Sequence, residues 1–274
     1  MYFFEFESIV LTSNDAIFNL IVYAPFVFFV NKRIVLILLV LFTSSCSSVY
    51  MPNVPNSPML SKKGEVHASG HVSLKGNVDL NTAFAVSDHI GVLFNGSFIN
   101  QDKRKKDFRQ DLVEGGVGYF TTFGAENNRI LEFYTGLGKG TTDRTFRTFA
   151  DDGSFTSDIQ EVRFNKFFIQ ANYSTKEKKS LTLFGKTYPL NYGTIIRVSH
   201  VNMIDFTRNN INQPFEDNIF IEPVFFTRLK LNQNLQLQYA SGSNFGLKNR
   251  DFLNAGNSVL TFGVVWNIGG TKFN

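Results

Sequence analysis

The chain has one cysteine in 274 residues, Cys46, and that scarcity excludes an intrachain disulfide or a multi-cysteine zinc site. Tryptophan is as rare, with Trp266 alone set against 31 phenylalanines and 9 tyrosines. The hydrophobic fraction, 43%, is too low for a bundle of membrane helices, yet aromatics reach 15%. That pairing suits a transmembrane barrel, whose strands alternate lipid-facing apolar residues with polar lumen residues and so average to near neutrality. The net charge of +4 raises the question of a nucleic-acid partner. The Lys and Arg residues fall mostly in candidate turns and loops, without helical clustering or interleaved base-stacking aromatics, so no nucleic acid is expected.

Histidine is also sparse, at four residues. His67 and His71 fall four apart on one strand, roughly 13 Å, too far to chelate one ion without help from other strands. His89 lies in a turn beside Asp88, and His200 and Ser199 are strand neighbours that point to opposite faces, which forbids a nucleophile–base pair. No catalytic, cofactor or metal site is therefore expected. A barrel-embedded lipid- or peptide-hydrolysing enzyme, or a small pore, stands as the alternative to a non-enzymatic structural or surface-binding role.

The N-terminal region reads as an address. Asn31-Lys32-Arg33 is followed by the apolar run Ile34 to Phe42, then Thr43-Ser44-Ser45 and Cys46. This is the basic, apolar, small-residue order of a secretory signal. With the cysteine placed after it, the segment resembles a bacterial lipobox, although Thr43 stands where leucine is usual. Joining Ala16 to Phe42 into one membrane helix would bury Lys32 and Arg33 near its middle at roughly 2.5–3.5 kcal/mol each, which disfavours that reading. The division is a leader over 1–45, with 1–30 reading as a misassigned start and 31–45 as a lipoprotein signal peptide. A covalent lipid on Cys46 is the only attached group expected, with no cofactor. Residues 46–63, with Pro52, Pro55 and Pro58 and little periodicity, read as an extended periplasmic tether.

From 64 to 274 the pattern is that of strands. Glu65 to Leu74 alternates polar and apolar residues, and the next segment sets Val78, Leu80, Thr82, Phe84 and Val86 on one face. Further strands are expected at 90–99, 110–122, 129–140, 161–174, 192–206, 218–230, 234–244 and 258–268. The expected fold is all-β, an antiparallel up-and-down transmembrane barrel of about ten strands, with eight and twelve left open by Leu181-Thr182-Leu183-Phe184. Short connections at 87–89, 124–128 and 231–233 alternate with longer polar ones, as periplasmic turns alternate with outer loops. Phe84, Phe94, Phe133, Phe167, Phe225 and Phe262 fall on the outward faces.

The stretches Leu131-Glu132-Phe133-Tyr134-Thr135-Gly136-Leu137-Gly138-Lys139-Gly140, Phe168-Ile169-Gln170-Ala171-Asn172-Tyr173 and Ile196-Arg197-Val198-Ser199 resemble an uncharacterised family of Bacteroidetes-type outer-membrane β-barrel lipoproteins. The last strand, ending at Trp266 and Ile268, resembles the terminal strand read by barrel-assembly machinery. The resemblance implies an outer-membrane location and two helpers, barrel-assembly and lipoprotein-sorting machinery, and it brings no activity. The chain lacks the acidic cluster after the cysteine that resembles a surface-export tag in such lipoproteins, which implies a periplasmic N-terminus.

Two sets of charges remain. Glu114, Glu132, Lys166, Arg197 and Glu222, with Arg228, fall on inward faces, and Arg197 is expected to bridge Glu132 or Glu222 and help plug the lumen, because a lone buried charge costs several kcal/mol. Lys103, Arg104, Lys105, Lys106 and Arg109 in one loop, and Arg144, Phe146, Arg147 and Phe149 in the next, read as solvated charge or as contacts to lipopolysaccharide phosphates, with outer-membrane lipids the implied partners.

Overall fold

A computed structural model of the protein describes residues 48–254 and 258–269. The leader and Cys46 lie outside the described residues. Residues 46–183 and 187–274 form one compact unit, and the fold described here is that of its described part.

Ten long strands make the wall: β1 (Val66–Ser73), β2 (Val78–Ala85), β3 (Ile90–Lys103), β4 (Lys106–Phe123), β5 (Arg129–Phe149), β6 (Phe155–Leu183), β7 (Lys186–Arg208), β8 (Asp217–Lys230), β9 (Leu235–Ser243) and β10 (Ser258–Ile268). Each pairs with its neighbours in sequence, and β10 pairs back onto β1 with Gly70 opposite Val264. Every printed pairing is antiparallel, so the sheet is an up-and-down barrel that closes on itself and leaves no long edge. Two-residue pairings at Ile211–Asn212 and Phe245–Gly246 decorate one end.

The alternation is kept in three dimensions. The six outward phenylalanines named above are between 43% and 63% exposed, whereas inward neighbours such as Asn95, Glu132, Gln170 and Gln238 are buried. The two ends differ. One end carries the connections 86–89, 124–128 and 231–234, and β1 begins there. The opposite end carries the longest connections, 209–216 and 244–257, and the walls β3 to β7 rise to it as tall hairpins. Those hairpins correct the expected loops. The residues up to Lys103 and from Lys106, and those at 141–149 and 155–160, are strand around two tight turns, because the backbone ladder needs no apolar side chains and Asn100↔Arg109, Asp102↔Asp107 and Arg144↔Gln160 continue the register.

Glycines allow the walls to come close to the inward aromatics. A Cβ at Gly136 would overlap both the Gly115 carbonyl and the Phe168 ring, which lies inward across that strand.

The largest departure from expectation is the segment before the barrel. Residues 48–61, expected as part of a tether outside the wall, run through the lumen. Val49, Tyr50, Asn53, Val54, Asn56, Ser57 and Leu60 are all essentially inaccessible. The physical reason is compositional: the segment holds no charged residue, so nothing in it demands water. At the tall end Val49 N–H donates to Phe252 O (3.0 Å). At the other, the Ser61 backbone and hydroxyl both donate to the Glu65 carboxylate (2.6 Å each), and Gly64, at φ +85°, turns the chain into β1.

Candidate functional site

The lumen is filled in three tiers along this segment. At the tall end Val49 and Tyr50 pack with Leu112, Phe164, Phe206, Phe220 and Leu253. At the turn end Leu60 packs with Leu93, Phe120, Tyr134 and Phe168, and Met59 with Ile130, Ile195, Val224 and Phe226. Between them lies a charged tier.

Two acids and two bases form that tier. Lys166 Nζ is 2.7 Å from Glu114 Oε1 and 4.0 Å from Glu222 Oε2. Arg197 Nε is 2.5 Å from Glu222 Oε2, and its Nη1 is 3.5 Å from Glu114 Oε2. All four side chains are buried, and their formal charges cancel. Arg197 and Glu222 face each other directly across the β7–β8 pairing, while Glu114 comes from β4 and Lys166 from β6. The quartet therefore ties separate parts of the wall together.

The lumen segment completes it. Asn53 Nδ2 donates to Glu114 Oε2 (2.7 Å), and its Oδ1 accepts from Arg197 Nη2 (2.9 Å) and Lys166 Nζ (3.3 Å). Arg197 Nη2 also donates to the Asn53 carbonyl (3.0 Å), and the Tyr50 hydroxyl to Glu222 Oε1 (2.9 Å). A single asparagine amide thus donates to an acid and accepts from both bases, a role that only a group with a donor and an acceptor can fill.

The same logic runs along the segment. Gln110 exchanges two hydrogen bonds with the Met51 backbone (2.7 and 2.8 Å), as a neighbouring strand would. The Asn56 carbonyl accepts from Gln170 (2.6 Å) and Asn172 (3.2 Å), and the Ser57 carbonyl from Arg228 Nη2 (2.5 Å). Pro52, Pro55 and Pro58 bring no N–H, which lowers the number of donors the lumen must satisfy.

Arg197 thus meets Glu222 and Glu114. Glu132 instead accepts from Leu60 N–H (3.2 Å), Asn172 Nδ2 (3.1 Å) and the Tyr134 hydroxyl (3.1 Å), and so holds the foot of the segment. Tyr50, Asn53 and Asn56 are the functional residues that strand periodicity did not reveal, because they lie on no strand.

The basic outer cluster sits on the tip of the β3–β4 hairpin. Lys103, Arg104, Lys105 and Arg109 are exposed. Arg104 lies over the Phe149 ring (5.1 Å), Lys106 is held between the Phe108 and Phe146 rings (5.6 and 5.4 Å), and Arg147 pairs with Asp107. Arg144, grouped with them in sequence, turns inward to Gln160. At the start of β8 the Asp217 carboxylate meets Lys248, His200 and Arg250. Lys248 and Arg250 tie their segment to the start of β8, and the backbone N–H groups of Asp251, Phe252 and Leu253 converge on Glu216 (2.7–3.1 Å).

Among the described residues no group of three or more His, Cys, Asp or Glu is placed to hold a metal ion. His67 meets Asn267 (2.8 Å) and His71 meets Ser69 (3.1 Å), both inside the wall. His200 pairs with Asp217 (3.2 Å) on the outside.

No protein family and no curated protein sequence matches the chain. Among solved structures it is similar to the translocator domain of the autotransporter NalP from Neisseria meningitidis, at 11% identity and a TM-score of 0.43, over 74% of this chain and 86% of that one.

Proposed function

We propose that the protein is an outer-membrane β-barrel sealed by its own N-terminal segment, a lipid-anchored, non-enzymatic scaffold that meets partners through its tall rim. The observation that carries this reading is the lumen itself: residues 48–61 occupy it, and the Glu114–Lys166–Arg197–Glu222 quartet is neutralised around Asn53. The outward belt of Phe, Val and Leu supports membrane residence through the strands, because a water-facing wall would be polar on that side. The acyl anchor on Cys46 rests on the signal-like order before it. The exposed cations at the β3–β4 tip, braced against Phe149 and Phe146, suit the phosphates of lipopolysaccharide in the surrounding leaflet.

Planar-bilayer recording tests the seal. Purified full-length protein is expected to insert without a steady conductance, and deletion of residues 48–61 to open one. A large, stable conductance from the unaltered protein overturns the reading.

A further inference from the structure

The direction in which the segment crosses the lumen has a consequence for everything attached ahead of it. Leu60 and Ser61 lie at the end where β1 begins, bonded to Glu132 and Glu65. Asn56 bonds to Gln170 and Asn53 to Lys166, four residues nearer the tall end of β6, and Asn53 bonds to Glu114 and Met51 to Gln110, again four residues nearer the tall end on β4. Val49 then bonds to Phe252, in the longest connection, at the opposite end. Read from Ser61 back to Ser48, the chain climbs the barrel without reversing.

The lumen offers no way back. Val49 and Tyr50 are wedged among Leu112, Val162, Phe164, Val201, Met203, Phe206, Phe220 and Leu253, a buried apolar cluster drawn from β4, β6, β7, β8 and the connection after β9. Below it the quartet, Asn53 and Tyr50 occupy the interior, and each leaves its side chain buried. A second strand of backbone returning toward the β1 end would have to displace both tiers.

We infer that the barrel conducts its own N-terminal chain across the membrane, so that the chain ahead of Ser48 leaves the lumen at the tall, long-loop end, opposite the end at which β1 starts. Only Ser47 separates Cys46 from Ser48, two backbone steps with a reach of at most about 7 Å. The inference rests on the membrane-spanning reading above, and with the tall end facing outward it assigns a lipid on Cys46 to the outer leaflet of the outer membrane, beside the basic rim. Such an anchor would be a surface anchor rather than a periplasmic one, and the barrel would serve as the device that carries it there. The chemical class of partner follows: hydrocarbon for the acyl chains, and lipid phosphates for the neighbouring Lys103–Lys106 tip.

Short epitope tags placed singly in the full-length chain test the inference in intact cells: between Ser47 and Ser48, in the Asp151–Gly153 turn of the tall end, and at Asn232 in the β8–β9 turn. Antibody access is scored before and after the outer membrane is permeabilised. The tags at 47/48 and 152 are expected to share one face, with the tag at Asn232 on the other. Both reached in intact cells supports the inference and the outward orientation together. Both protected while Asn232 is reached supports the inference and overturns the orientation. A tag at 47/48 that sorts with Asn232 against 152 overturns the inference itself. Because an inserted tag can disturb the seat of the segment, Ser47→Cys with a membrane-impermeant maleimide repeats the measurement at the cost of one atom, with the unaltered chain as the baseline. Labelling confined to the face of Asn232 overturns the inference in that format as well.

Discussion

Asn53 and Arg197 show how much a single side chain decides here. Arg197 contacts two carboxylates, and its guanidinium also takes both the side-chain and the backbone oxygen of Asn53. A buried ion pair contributes little net stability when compared with a well-packed apolar substitute, because desolvation offsets attraction. Removing one member is different, since the partner charge stays buried without compensation. Arg197→Met is therefore expected to destabilise the barrel by about 3–5 kcal/mol, measured by urea unfolding in lipid. Pairing it with Glu222→Gln should recover part of that loss. A loss in the double variant equal to the sum of the two single losses would show that the charges act independently. Sequence placed Arg197, Glu132 and Glu222 on inward strand positions and left either acid as its partner; the β7–β8 register sets Glu222 opposite Arg197. The partners Tyr50 and Asn53 could not be placed, because nothing in a non-periodic segment says where its side chains point.

At the scale of strands and segments, the period of two carried most of the information. It located the wall, its facing and its closure, because a strand with one lipid face and one lumen face must alternate. It failed at the tops of the hairpins, where both faces of β4 and β5 become polar and alternation loses its contrast although the ladder goes on. It also had nothing to say about residues 48–61, where three prolines suggest a linker. The legible signal there was a deficit: a stretch with Val49, Tyr50, Val54, Met59 and Leu60 and no charge is poorly suited to water. On the outside of β10, Leu260, Phe262, Val264, Trp266 and Ile268 share one face, with Val264 in the middle. Val264→Arg is expected to cost about 2–4 kcal/mol in lipid-reconstituted unfolding, and less at Ile268, nearer the end of the belt. A neutral result at Val264 would contradict its placement in hydrocarbon.

For the molecule as a whole, the proposed function gives two attachments to the membrane, the apolar belt and an acyl group on Cys46, and they can be separated. The belt spans most of the circumference, from Val66 and Phe84 through Phe133 and Phe167 to Phe225 and Phe262. A chain lacking the acyl group should then remain with membranes once inserted. Cys46→Ala protein, refolded into vesicles, is expected to resist extraction by carbonate or urea. Release into the soluble fraction would mean that the lipid alone had held it. One acyl chain gives only marginal membrane binding, whereas a full turn of strands does not let go, so the lipid is better suited to sorting and orientation than to retention.

The seating of residues 48–61 also fixes an order of events. The segment is continuous with β1, and the wall closes where β1 meets β10, the last strand to be made. For the thread to enter a closed wall the aromatic tier at either end would have to part, so the geometry favours seating it before the β1–β10 seam closes. Closure therefore waits on contacts such as Tyr50 with Glu222, 172 residues apart in sequence, and a chain with so many long-range partners folds slowly. Once seated, the thread is tied from the inside to β4, β6, β7 and β8, so it braces the wall between strands such as β4 and β7 that do not pair with one another.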